Sequence, residues 1–326
     1  MNFGSRLHHP LFLTAVLGLF LIGFSGNASA EAPMAKFQAP GFYRMMLGQF
    51  EITALSDGFI DMDINVMRNA PETEIRALLD RMSLVAPKIQ ISVNAYLVNT
   101  GSKLILIDAG SGSAMGPTLG RLPQNLAAAG YTPDQVDYVL ITHMHGDHIP
   151  GLLDSAGKPV FPKATVLVSK PENEYWLSSA ESRKATPDRQ KFFELARTIS
   201  AVYSTLGKWS TFESGQLLPG IQATVMPGHT PGHTVFEISS DNQSFLVLGD
   251  TVHSMAVQFS RPEVSFVFDT DPKQAISVRN VLFKKLAESK ALAAGMHLPF
   301  PGIGRVLANG AGGYIWAPVE FSPIKN

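Results

Sequence analysis

An α/β fold built on one domain is what this sequence predicts, and three observations carry that expectation. Short runs rich in Val, Ile, Leu and Tyr alternate with well-punctuated helical segments, no low-complexity linker interrupts residues 31–326, and one strand–turn–strand unit occurs twice. The 326 residues are enough to bury a large core. With 45% hydrophobic and only 16% charged residues, a disordered chain is excluded.

The elements follow in order. "FEITALSD" (50–57), "VNAYLVNT" (93–100), "KLILID" (103–108), "YVLIT" (138–142) and "TVLVS" (165–169) have strand composition. Gly130 closes a helix containing Leu119, Leu122 and Leu126, which Pro123 bends or shortens. Thr186-Pro187 opens a second helix, with Phe192, Leu195, Ala196 and Ile199 on one face. Asp271-Pro272 opens a third, carrying Ile276 and Leu282. The repeated unit spans 96–110 and 235–250: strand, polar turn, strand, then an aspartate, Asp108 or Asp250. It suggests two similar half-sheets facing each other.

Residues 1–30 have the pattern of a signal peptide. Arg6 gives a cationic start, Leu11 to Phe24 is an apolar run too short to span a bilayer comfortably, and "NASA" supplies small residues for cleavage before Glu31. The expected product is an exported chain of residues 31–326, periplasmic or secreted, with no stable membrane anchor after cleavage. There are no cysteines, which excludes disulfides, thiolate ligands and a cysteine nucleophile. Lys+Arg total 26 against 27 Asp+Glu, a net charge of −1, which argues against nucleic acid as a partner. A homodimer is left open.

The chemistry is concentrated in "ITHMHGDHIPG" (141–151), which holds three of the nine histidines. Crowded imidazoles beside a carboxylate are poor core material, since each needs a partner once buried, but they are good ligands for zinc. His143 and His145, two apart after a strand, can point to one side. Asp147 and His148 follow in a turn begun by Gly146 and can aim at a second point. One tetrahedral ion cannot take all four and keep an open position, so two divalent ions, with Zn²⁺ the expected metal, are implied. Further ligands are at hand in "MPGHTPGHT" with His229, "LVLGDT" with Asp250 and "GMHLPFPG" with His297.

HMHGDH, PGHTPGH, LGD and MHLPFPG follow in the order of the binuclear metallo-β-lactamase-fold hydrolases, and the chain resembles that family over about residues 40–315. The resemblance implies a four-layer αββα sandwich of two mixed β-sheets flanked by helices. It also implies one ion on His143, His145 and His229, a second on Asp147, His148 and His297, and Asp250 bridging. Asp108 resembles the family's buried acid that supports the metal-binding loop. His233 falls outside the implied ligand set and is expected to support it from behind.

"GFYRMMLGQFEITALSDG", "YLVNTGSKLILID", "AAGYTPDQVD" and "FPGIG" are similar to segments of methyl parathion hydrolase and its exported relatives, which include hydrolases of lactones and aryl esters. By position relative to that family, Met62, Met67, Met115, Trp176, Phe192, Phe266 and Phe268 should line the site's mouth. Such an apolar wall suits a small neutral ester, lactone or organophosphate triester. His253, three residues after Asp250, is placed either as a donor to the substrate carbonyl or as a histidine behind the ligands. The implied mechanism is metal-assisted hydrolysis, with Asp147 or Asp250 taking up a proton. A dedicated phosphotriesterase is the first rival. An exported metal-binding protein without catalysis is the second, and a bridging position left open for substrate argues against it.

Overall fold

The computed structural model describes residues 32–310, 312–322 and 324, so the signal segment expected at 1–30 lies outside the described residues. Residues 32–39 are exposed and form neither helix nor strand.

From residue 40 on, a first sheet is laid down from the sequence's early apolar runs. β1 (Phe42–Leu47) and β2 (Phe50–Asp63) form a hairpin, and after a short β3 (Met67–Arg68) the chain enters β4 (Lys88–Asn99) and β5 (Leu104–Ile107). β6 (Tyr138–Leu140), β7 (Thr165–Ser169) and β8 (Trp209–Phe212) complete the order β1-β2-β4-β5-β6-β7-β8, antiparallel as far as β5 and parallel beyond it. The second sheet uses β9 (Gly215–Leu218), β10 (Ile221–Val225), β11 (Thr234–Ser240) and β12 (Gln243–Val247). After β13 (Ser265–Phe266), which forms a two-stranded ribbon with β3, it adds β14 (Leu292–Ala294), β15 (Ile303–Ala308) and β16 (Tyr314–Pro318). Its order is β16-β15-β14-β12-β11-β10-β9, with β12 and β14 the parallel pair.

Strand alternation sets the layers. In β4, Ala95 and Leu97 face one core while Tyr96 and Val98 face another; in β5, Leu104 and Leu106 divide from Ile105 and Ile107 in the same way. The second face meets Phe236, Ile238, Phe245 and Val247 of the other sheet, which is the sandwich interior. The outer faces are covered by helices. α1 (Glu72–Asp80) packs near the β3–β13 ribbon, while α2 (Leu122–Ala128), α3 (Lys170–Leu177) and α5 (Pro187–Thr205), with α4 (Ser179–Lys184) between the last two, lie on the first sheet. After the short α6 (Met255–Gln258), α7 (Pro272–Ser289) covers the second sheet through Leu282, Phe283 and Leu286. The result is a four-layer αββα sandwich of two mixed sheets. Because both faces of each central strand are buried, those strands read as unbroken apolar runs.

One local expectation needs correction. The helix that Gly130 terminates begins only at Leu122, so Leu119 lies outside it: Pro123 fits the first turn, where no N–H is needed, and fixes the start there. In α5, Phe192, Leu195, Ala196 and Ile199 share the face that packs on the first core, as expected, with Phe193 the fully buried aromatic beside them.

Candidate metal centre

Every residue expected to hold metal lies on a loop at one edge of the sandwich. His143, His145, Asp147 and His148 follow β6; His229 lies between β10 and β11; Asp250 follows β12; His297 lies between β14 and β15. His143 Nε2 lies 3.0 Å from His145 Nδ1, and His229 Nε2 stands 3.2 and 3.0 Å from those two atoms. Asp250 Oδ2 is 3.5 Å from His143 Nε2, 3.3 Å from His229 Nε2 and 3.0 Å from His297 Nε2. Its other oxygen is 3.3 Å from His148 Nε2. Asp147 reaches both His148 Nε2, at 3.5 Å, and His297 Nε2, at 3.4 Å.

The far side of each ring fixes what the near side can offer. His148 Nδ1 donates to Asp108 Oδ2 over 2.7 Å, His229 Nδ1 to Asp269 Oδ1 over 2.8 Å, and His297 Nδ1 to the Ser92 carbonyl over 2.9 Å. Each Nε2 in a neutral ring is then a lone pair aimed inward. Buried His148 Nε2 and Asp250 Oδ1 have no hydrogen-bond partner among the described residues. Converging lone pairs and orphaned buried atoms are what a cation would satisfy. The nitrogen and oxygen donor set, without sulfur, fits divalent metals in the two groups the motifs imply, His143, His145, His229 and Asp250, then Asp147, His148 and His297; Asp250, His253 and His297 form a third, overlapping group.

Supporting groups explain why these loops hold their shape. Asp108 occupies the left-handed region at φ 60, strained for an aspartate, and accepts from Thr142 N and Thr142 Oγ1 as well as from His148. His233 Nε2 accepts the Asp250 N–H at 2.9 Å, which orients Asp250 and leaves His233 away from both metal groups. Burial, together with the charged His229 nearby, takes the His233 pKa down to about 3, so it is neutral.

Among these groups the charges compete. Burial opposes charging His229, yet Asp250 and Asp269 outweigh it and hold its pKa at about 9. His148 is likewise raised despite burial, by Asp250, Asp147 and Asp108. His143 and His145 are pushed well below the usual range, first by burial and then by neighbouring imidazoles. Asp250 stays far below the usual carboxylate range, because the histidines around it outweigh its burial.

A cavity of about 630 Å³ opens over this cluster, with His145, Asp147, His229, Asp250, His253 and His297 at its floor. Met62, Met115, Trp176, Phe192 and Phe268 stand in its wall, together with Ile60 and Val267, and Asp61, Asp63, Thr186, Asp188 and Arg189 make the rest of it polar. Met67 and Phe266 do not, which corrects the expectation for both. They pair across β3 and β13 and turn into the small core under α1 and α6, and Phe266 stacks beneath His253 at 4.6 Å. His253 Nε2 lies 3.2 Å from Asp250 Oδ2, with the ring held between Phe266 and His297.

Three supports escaped the sequence reading. Asp269 holds His229, Ser92 holds His297, and buried Glu172 accepts from residues of two metal-binding loops. Asp269 and Ser92 carry no motif. The Glu172 and Trp176 pair, four apart just after a strand, was the one available signal.

The profile of the metallo-beta-lactamase superfamily matches residues 90–294. The solved structure of hydrolase AbOPH, described as in the beta lactamase superfamily, is 37% identical, with a TM-score of 0.84, covering 88% of this chain and 100% of that one. That of AidC, a dizinc quorum-quenching lactonase in complex with a product homoserine, is 32% identical with a TM-score of 0.81, covering 87% and 99%. Among curated sequences, the lactamase-like protein adaB of Aspergillus niger is 30% identical over 159 residues, 49% of this chain; the match spans only 38% of that relative. A superfamily match that runs from β4 to the last residue of β14, on an αββα sandwich with both metal groups at its edge, decides the family. The chain belongs to the metallo-β-lactamase superfamily.

Proposed function

We propose that this chain is a binuclear metal-dependent hydrolase of lactones and neutral aryl or alkyl esters, with organophosphate triesters as a second substrate class. The observation that carries it is the cavity: an apolar stretch of Met62, Met115, Trp176, Phe192 and Phe268, flanked by the polar Asp61, Asp63, Asp188 and Arg189, over converging imidazole and carboxylate groups. The likeness to AidC, itself a dizinc lactonase, supports the lactone reading. Phosphotriester and aryl-ester turnover rest on the apolar walls and on the segments similar to methyl parathion hydrolase.

His143, His145 and His229 would hold one ion, Asp147, His148 and His297 the other, and Asp250 would face both. Bound there, two divalent ions supply Lewis-acid polarisation of the carbonyl or phosphoryl oxygen and a nucleophilic water at neutral pH. The remaining work falls to the chain. The aromatic walls orient the acyl or aryl group and exclude bulk water. Asp147, its side chain 14% exposed against 3% for Asp250, is the carboxylate with room to take up the proton released on attack. His253, on the cavity floor, directs its Nε2 at Asp250 Oδ2 and would share that proton with substrate to stabilise developing oxyanion charge.

Export is part of the same proposal, supported by the cationic start, the apolar run and "NASA". The mature chain isolated from the periplasm should have the mass of residues 31–326; an intact Met1 species there would remove export by cleavage. For activity, protein with its metal content assayed is offered an N-acyl homoserine lactone, an aryl ester and paraoxon, before and after chelation. Lactone or ester hydrolysis that needs about two ions per chain is expected. Turnover of the lactone and the ester by metal-free protein would overturn the mechanism, and turnover of paraoxon alone would select the phosphotriesterase reading.

A further inference from the structure

Glu172 is fully buried on α3, and none of the four groups that donate to it is a cation. A carboxylate in that position needs another reason to be there. Its Oε1 accepts the Met144 N–H at 2.8 Å and the Trp176 Nε1–H at 2.7 Å. Its Oε2 accepts the Thr230 hydroxyl at 2.7 Å and the Gly232 N–H at 2.9 Å. Met144 lies between His143 and His145, while Thr230 follows His229. One carboxylate therefore joins the two loops, 84 residues apart, whose His145 and His229 nitrogens stand 3.0 Å from one another. The same group fixes Trp176, whose ring meets His145 edge to face at 5.4 Å and forms part of the cavity wall.

The junction is reinforced from the strand that precedes α3. Ser169, the last residue of β7, donates its hydroxyl to the Gly232 carbonyl at 2.6 Å, so both backbone groups of Gly232 are held by the β7–α3 corner. None of these contacts reaches Asp147, His148 or His297; His148 and His297 are held instead by Asp108 and the Ser92 carbonyl. We infer that Glu172 is a positioning residue that sets the spacing of His143, His145 and His229, and so governs occupancy of that metal position and not of the other. This rests on the binuclear reading above.

Removing a hydrogen-bonded support of a metal ligand typically weakens metal affinity about 10–100-fold. Wild-type protein stripped by a chelator and titrated with Zn²⁺ against a competing indicator should take up two equivalents. In E172A one equivalent should weaken by about that factor while the other holds within about twofold. E172Q should lie between, since its amide oxygen keeps two donors and its NH₂ meets the Gly232 N–H. H145A and the E172A/H145A double variant should bind the remaining ion alike, because both lesions fall on one position. Should E172A not fold, T230V removes one donor and leaves the carboxylate in place; a smaller loss at the same equivalent is expected. Equal weakening of both equivalents, or of neither, in whichever of these variants folds overturns the role of Glu172. A wild type that never binds a second ion overturns the binuclear reading, and this inference with it.

Discussion

His253 shows how much one ring can decide. It lies on the cavity floor, its Nε2 is 3.2 Å from Asp250 Oδ2, and burial takes its pKa down to about 4, so it is neutral at physiological pH. A neutral ring has one N–H. With Nε2 against the Asp250 carboxylate, that proton reaches a substrate oxygen only by being shared with or turned from Asp250, a bond that then strengthens as the oxygen gains charge. Loss of such a donor in a preorganised site costs about 10²–10³ in kcat. His253→Leu should therefore lower lactone and aryl-ester turnover through kcat. It should leave or raise paraoxon hydrolysis, because leucine extends the apolar surface of Phe266 and Phe268 beside it. Kinetics on both substrate classes decide it: a parallel fall in both would assign His253 to holding Asp250 alone. The site's histidines were legible at this scale because their spacing survives in the sequence. The groups behind them were not, since Asp269 is 40 residues from His229 and Ser92 is 205 from His297. Met67 and Phe266 misled for another reason. They have the composition of a cavity wall, but the β3–β13 pairing turns them into a core.

At the scale of elements, the central strands β2, β4 to β7, β11 and β12 could be read from the sequence, because strands buried on both faces are continuous apolar runs, whereas the other nine among the described residues were not named. The repeated unit also matched real geometry: β4–β5 and β11–β12 are both antiparallel hairpins, one in each sheet. What composition could not give is how α7 secures the second sheet's loops. Arg279 on that helix is fully buried, and burial brings its pKa down to about 10. Its Nε donates to the Thr251 carbonyl, next to Asp250, and its Nη1 to the Pro262 and Val264 carbonyls that lead to Phe266. In sequence Arg279 reads as one more charged helical residue. Arg279→Met leaves three buried carbonyls without that donor, each worth about 1 kcal/mol or more, and relief of the buried charge offsets part of the loss. A net destabilisation of roughly 2 kcal/mol is expected. Denaturant unfolding would measure it, and a variant as stable as wild type would mean that the arginine's burial costs as much as its three bonds contribute.

For the molecule as a whole, the metal-free site makes stability depend on pH in a way the loaded protein should escape. His229, at about 9, has a folded pKa raised above its ordinary 6.5, and His148 and His297 are raised as well. Protons there offset the carboxylates of Asp147 and Asp250 as metal ions would. A raised pKa contributes stability that is fully present below about 6.5 and lost as pH climbs through the folded value. His229 alone accounts for roughly 3 kcal/mol at about 1.4 kcal/mol per pKa unit. On the acid side His233, at about 3, and His253, at about 4, act oppositely: their contribution is present above 6.5 and fades as pH falls. Chelated protein should therefore be most stable near pH 6.5 and lose thermal stability steadily towards pH 9. Protein loaded with zinc has those nitrogens already deprotonated, so its melting temperature should stay nearly level across the same range. Zinc uptake at neutral pH should also release protons, seen calorimetrically as a binding heat that varies with the buffer's ionisation enthalpy. Parallel melting curves for the two forms between pH 6.5 and 9, with no proton release, would mean that His148, His229 and His297 do not hold the metal.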